Sequence, residues 1–270
     1  MNKPIHLVLI LFLGFYVIVS IGAKGVFENN LGAILFNKGL FANQPLSTKN
    51  LNARLVWIDQ AEISFRKASE RNPSEARFIH NILFTHLVRG QSFSQLGDWD
   101  RAITSYQAAL IVDPRAVGTY LKLGEILTYQ KPHEPEFLKP AIGYLQQAVN
   151  IAPQAGYAWL VLGHALFFDG RQTDAIEAVK EAVVWEPNAY YWTVLCEFYQ
   201  HEAQWQNSVS ACNQALKSEP TRADAWFHLG EALARQDNMA QAQSAWRKVV
   251  ELSPGSELAQ VAEHRLKEEK

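Results

Sequence analysis

Gln154-Ala-Gly-Tyr-Ala-Trp159-Leu-Val-Leu162-Gly163-His-Ala-Leu166, a break at Asp169-Gly170, then Ala175-Ile176, Val179 and Ala182: this stretch, closed by Pro153 on one side and Pro187 on the other, decides the fold. Apolar residues recur at three- and four-residue spacing before and after the break, which is helical periodicity. Gly170 punctuates the two runs. Each proline stops a helix, because it lacks the N–H and biases its predecessor away from helical angles. The stretch therefore reads as two short antiparallel helices, a hairpin.

The unit recurs. Pro73, Pro114, Pro153, Pro187, Pro220 and Pro254 are separated by 41, 39, 34, 33 and 34 residues. A near-constant period of this length signals a repeat array. Inside the period, Trp159, Trp192 and Trp226 are followed by Leu162, Leu195 and Leu229, then by small Gly163, Cys196 and Gly230. Further on come Ala175, Ser208 and Ala242, then Val179, Cys212 and Trp246, then Ala182, Ala215 and Val249. The preceding unit fits with Tyr120, Leu123, Gly124, Ala141, Leu145 and Ala148, its extra length lying in Gln130–Glu136. The unit from Pro73 fits with Gly90, Ala102, Tyr106 and Ala109. Earlier still, Leu51, Leu55, Ile58, Ala61, Phe65 and Ala68 form an amphipathic stripe without a tryptophan ahead of it. Leu31-Gly32 is either a displaced first-helix signature of that unit or unrelated to it, and both readings stay open.

These positions resemble the tetratricopeptide repeat (TPR), with its Trp-x2-Leu-Gly, Ala, aromatic, Ala, Pro register, over about Leu51 to Pro254. The resemblance implies an all-α, right-handed α-solenoid of about six hairpins whose first helices line a concave wall. Small residues at the helix crossing let the two helices approach. A hairpin cannot bury both faces alone, so stacking is required. Residues 51–254 are thus expected as the repeat array and 255–270 as a polar capping helix, with Leu258, Val261 and Leu266 on one side.

The amino terminus differs. No Asp, Glu, Lys or Arg occurs from Pro4 to Ala23. Residues 5–21 as a helix would be about 26 Å long, near one hydrocarbon core. The reading preferred over a cleaved leader ending near Ser20-Ile-Gly22 is one transmembrane helix within 1–24 that leads residues 25–50 and the array. That reading makes the chain a single-pass membrane protein with the repeats on the non-cytoplasmic side.

Composition excludes other classes. The chain has 270 residues, 48% hydrophobic and 19% charged, with a formal charge of −2. This describes a folded chain without the basic face of a nucleic-acid binder. Cys196 and Cys212 fall in one hairpin; a disulfide and a pair of buried thiols both fit. There is no phosphate loop, nucleophile elbow or His-Glu-x2-His motif, so no enzyme and no cofactor is expected. Asp98-Trp99-Asp100 reads as a turn in which aspartate caps the next helix. His164, His201 and His228 recur on first helices, but none has a second ligand at helical spacing, and no metal is expected.

The functional hint is surplus apolar surface. The first helix from Gly156 to Phe168 is apolar all round, and its second face carries Tyr157, Leu160, Val161, His164 and Phe168. Neighbouring helices add Leu121 and Tyr129, Tyr190 and Val194, and Phe227. This set is expected to line a concave groove that takes a protein or peptide partner. Against it stands self-contact, with the chain covering its own groove. The wall carries basic Lys122 and Arg235 but acidic Glu125, Glu197 and Glu231, which disfavours capture of acidic tails. The chain is expected to be a membrane-anchored scaffold in an envelope assembly, secretion or polysaccharide system. The alternative is an accessory subunit of a membrane enzyme.

Overall fold

The computed structural model describes residues 11–12, 15–16, 24–41, 48–73, 75–130 and 135–268. Among them lie thirteen α-helices and one π-helical turn. The chain divides into two compact units, residues 1–119 and 120–270.

In the first unit, α1 (Lys24–Phe41) packs along α2 (Thr48–Arg71), and α3 (Ala76–Gln95) pairs with α4 (Trp99–Val112). Residues 24–41 are thus the first helix of a hairpin. A Cβ on Gly32 would stand 2.6 Å from the Phe65 ring, so α1 crosses α2 at a small residue, as the later hairpins do. Phe36, Ile58, Ala61, Phe65, Ile82 and Val88 form the core there. Glu62 of α2 receives Arg89 of α3 at 2.6 Å beside buried His86. Asp98 caps α4, its carboxylate accepting from the Arg101 N–H.

The second unit begins inside α5 (Val117–Glu125), which runs on as a π-helical turn, Ile126–Gln130. Then follow α6 (Pro135–Ile151), α7 (Gly156–Phe168), α8 (Gln172–Trp185), α9 (Ala189–His201), α10 (Trp205–Ser218), α11 (Ala223–Ala234), α12 (Met239–Leu252) and α13 (Glu257–Glu268). Helices pair in sequence, and each hairpin rests on the next. The repeated residues are where the helices meet. A Cβ on Gly163 would lie 2.5 Å from Val179 Cγ2, and one on Gly230 2.5 Å from Trp246 Nε1. At the same position Cys196 is joined to Cys212 by a disulfide.

The stops and tryptophans serve the loops. Trp159 Nε1 donates to the Pro153 carbonyl at 2.7 Å, and Trp226 Nε1 to the Pro220 carbonyl at 2.8 Å. Each tryptophan thereby ties a first helix to the loop before it. The turns inside four hairpins share one backbone. Gly97, Gly170, Ala203 and Asp237 have φ of 73°, 79°, 53° and 58°. The next residue's N–H returns to the carbonyl five residues back, as from Arg171 to Leu166 and from Gln204 to Tyr199. This is the left-handed helix stop that glycine adopts without strain. α13 covers the last hairpin with Ala259 and Ala262 buried, and Arg265 holds Glu231.

The expected transmembrane helix, and the single-pass membrane placement built on it, are corrected: no helix among the described residues is long and apolar enough to cross a membrane. Of residues 5–21, only 11–12 and 15–16 are described. There β1 (Leu11–Phe12) pairs antiparallel with β2 (Phe15–Tyr16), Leu11 opposite Tyr16. The other residues of that span, and the alternative leader cleavage near Gly22, lie outside the described residues. An uncharged run rich in β-branched and aromatic residues has the length of a span but no period that selects a helix.

Candidate functional site

One side of the second unit's first helices gathers aromatic side chains. α7 is apolar all round because neighbours cover most of it: α6, α8 and the π turn all pack against it. Leu160 and Val161 are fully buried, as is Val194 of α9. These three are therefore packing residues and leave the expected groove set. What stays open on α7 is a narrow stripe, Tyr157, half-buried His164 and Phe168, spaced seven and four residues apart. Tyr157 is 40% exposed and Phe168 44%. The π turn adds Tyr129, 36% exposed, and α9 adds Tyr190, 44% exposed. Leu121 and Phe227 are half-buried at the flanks.

The rings touch across helices. Tyr129 Oη lies 3.0 Å from His164 Nδ1, which also faces the Leu160 carbonyl at 3.2 Å. The His164 ring meets Phe168 at 6.3 Å and Phe198 of α9 at 5.5 Å between centroids. Phe167 stacks on Phe198 at 4.5 Å with planes 8° apart, and its edge meets His201 at 4.8 Å. On α11, His228 Nδ1 faces Gln200 Oε1 of α9 at 3.1 Å, and Gln200 Nε2 donates back to the His228 carbonyl. A ladder of ring and amide contacts thus runs from the π turn to α11.

Electrostatics follow from partial burial. Burial holds the His164 and His228 imidazoles below their ordinary value, although nearby Glu197 pulls both upward. Both are neutral at pH 7. Burial raises the phenols of Tyr129, Tyr157 and Tyr190, so all three remain protonated donors. Tyr157 donates to Glu125 at 2.7 Å, and Lys122 donates to the same carboxylate. Arg222 is held by Glu219, Asp224 and Thr193 and lies over the Tyr190 ring at 5.3 Å. Nothing here arranges a nucleophile with a base. Among the described residues no group of three His, Cys, Asp or Glu could hold a metal ion. His164 and His228 instead use Nδ1 within the wall.

Sequence reasoning overlooked Phe167, Phe198 and Gln200. Their signal is present: Phe167 and Gln200 occupy the same register, four residues beyond Gly163 and Cys196.

Residues 90–130 match the family described as TPR repeat, and residues 202–257 match the tetratricopeptide repeat. No curated protein matches the chain. Solved structures share the fold. PilW, a widely conserved type IV pilus biogenesis factor, aligns with TM-score 0.60 at 17% identity over 86% of this chain and 98% of that one. Pseudomonas aeruginosa pilF aligns with TM-score 0.58 at 17% identity over 90% and 100%. YrrB, a TPR protein with an unusual peptide-binding site, aligns with TM-score 0.58 at 21% identity over 74% and 97%. The chain carries tetratricopeptide repeats, and its fold is all-α and TPR-like.

Proposed function

We propose that this chain is a protein-binding scaffold whose second unit takes an extended peptide segment of a partner along α7 and α9. The observation that carries this reading is the exposed aromatic stripe of Tyr129, Tyr157, Phe168 and Tyr190, four rings gathered on one wall, whereas exposed Val184 and Trp185 lie together at the end of α8. Large aromatic rings bury much area at small entropic cost and are enriched where partners dock. The chain acts by binding, not catalysis. YrrB carries a peptide-binding site on the same fold, and PilW is a pilus biogenesis factor. From these we take a role in recruiting a component to an assembly or secretion system. Replacing Phe168 and Tyr190 by aspartate tests it. Both are surface residues, so circular dichroism should be unchanged, while capture of partner protein by the immobilised chain should be lost. Capture that survives both changes sinks the groove reading.

A further inference from the structure

The residue following the close-crossing position faces the same wall in four successive first helices: Glu125, His164, Glu197 and Glu231. Two of these carboxylates are satisfied within the chain. Glu125 accepts from Lys122 and Tyr157, each at 2.7 Å. Glu231 accepts two bonds from Arg265 of α13, at 3.0 and 3.3 Å. Glu197 is different. Its side chain is 42% exposed, and its ion-pair contact is His201 Nε2 at 4.0 Å, the outer limit of such a pair. It belongs to α9 between Cys196 and Phe198, beside the ring ladder of His164, Phe167, Phe198 and His201.

Arg222 is paired with Glu219 and Asp224, and Lys122 with Glu125, while Arg235 stands at the C-cap of α11, over the Trp205 ring at 5.7 Å. Burial keeps His164 and His228 uncharged at neutral pH. The uncompensated charge in the middle of the wall is therefore negative. It is bordered by aromatic faces, whose quadrupoles also attract cations. A carboxylate beside open aromatic rings matches a lysine or arginine whose apolar stem lies on the rings. An acidic segment would meet like charge in the same place.

We propose that the second unit selects an extended segment of a partner protein in which a lysine or arginine is flanked by apolar residues, the cation seated at Glu197 and the apolar neighbours on Phe168, Tyr190 and Tyr129. This rests on the peptide-binding reading above. The test is a random peptide array probed with the full chain, followed by fluorescence anisotropy on the strongest peptide. Variants are Glu197→Gln, Glu197→Lys and Phe168→Asp, with Glu263→Gln on α13 as control. Selected peptides should be enriched in Lys or Arg. Glu197→Gln should weaken the chosen peptide about tenfold and flatten its salt dependence. Glu197→Lys should shift enrichment toward Asp and Glu, a gain that an unfolded variant cannot give. Peptides selected without basic enrichment, or an unchanged affinity in Glu197→Gln, overturn the inference while the groove reading stands. No selected peptide, or binding indifferent to Phe168→Asp, overturns both.

Discussion

Replacing Gly163 by alanine puts a methyl group 2.5 Å from Val179 Cγ2 and 3.3 Å from the Ala175 carbonyl oxygen. Carbon atoms attract best at about 3.5–4.0 Å, so the contact is short by roughly 1 Å. Val179 is fully buried and β-branched in a helix, where one rotamer dominates, so it cannot swing aside. The crossing of α7 and α8 must open instead. Overpacking of this kind costs about 1–3 kcal/mol. Against it, alanine in a helix interior gains about 1 kcal/mol over glycine. The net expectation is a loss of about 1 kcal/mol.

Gly143 on α6 isolates the second term. It is exposed, and a Cβ there meets nothing within 4 Å. Gly143→Ala should therefore stabilise by about 1 kcal/mol. At about 2–4 °C per kcal/mol for chains near this size, the two alanine variants should melt on opposite sides of the natural chain, followed by far-ultraviolet circular dichroism. The pair Gly163→Ala with Val179→Ala closes the argument. Trimming Val179 removes the atom that the new methyl strikes, so the double variant should be more stable than the sum of the singles by about 2 kcal/mol, the overpacking cost itself. A Gly163→Ala chain that melts as high as Gly143→Ala refutes the reasoning, as does additivity to within about 0.5 kcal/mol.

Two further outcomes are expected. His86, His164 and His228 all sit below the ordinary imidazole value of 6.5 because of burial. The unfolded chain then binds more protons than the folded one as pH falls below 6.5, so stability is greatest above that value and declines on acidification. Urea midpoints at pH 7 and pH 5.5 measure it, and His164→Gln with His228→Gln should flatten the decline; an unchanged slope rejects burial as the cause. The Cys196–Cys212 disulfide spans 16 residues, and closing a loop of that length stabilises by about 3 kcal/mol. Reduction should lower the melting temperature, and a midpoint indifferent to reductant argues against a disulfide role in stability.

The array was legible because its signals are local and repeated. The stop prolines, the Gly163 and Gly230 crossings and the partner positions Val179 and Trp246 are each set by contacts within one hairpin. Such a signal recurs whenever the hairpin recurs, and repetition separates it from chance. The first hairpin was harder. It lacks the tryptophan, and only packing, with α1 along α2 and Gly32 against Phe65, shows that α1 is its first helix. The expected membrane helix rested on apolar length alone, which carries no period that selects a helix; the four described residues of that run pair as Leu11 with Tyr16 and Phe12 with Phe15.

The groove was legible only in part, and the reason is geometric. A helix that is apolar on every side, such as α7, does not say which side its neighbours cover. Leu160, Val161 and Val194 have the same chemistry as an open wall, yet helix packing buries them completely. Tyr157, His164 and Phe168 fall on the one line that neighbouring helices meet only with side-chain tips, Tyr129 and Phe198 at His164 and Glu125 at Tyr157, so they stay partly open. Tyr129 depends on something subtler still. Its repeat is longer than the three that follow, and the spacing placed the excess in Gln130–Glu136, but the helix already widens at Ile126 into a π turn. Such widenings recur at functional sites. Within it Thr128 Oγ1 is buried without a hydrogen bond, and Tyr129 meets His164, 35 residues away. The sequence placed Tyr129 on the wall, but a turn whose ring pairs with the next repeat is settled by tertiary packing, so neither the π turn nor the His164 contact shows in the local sequence.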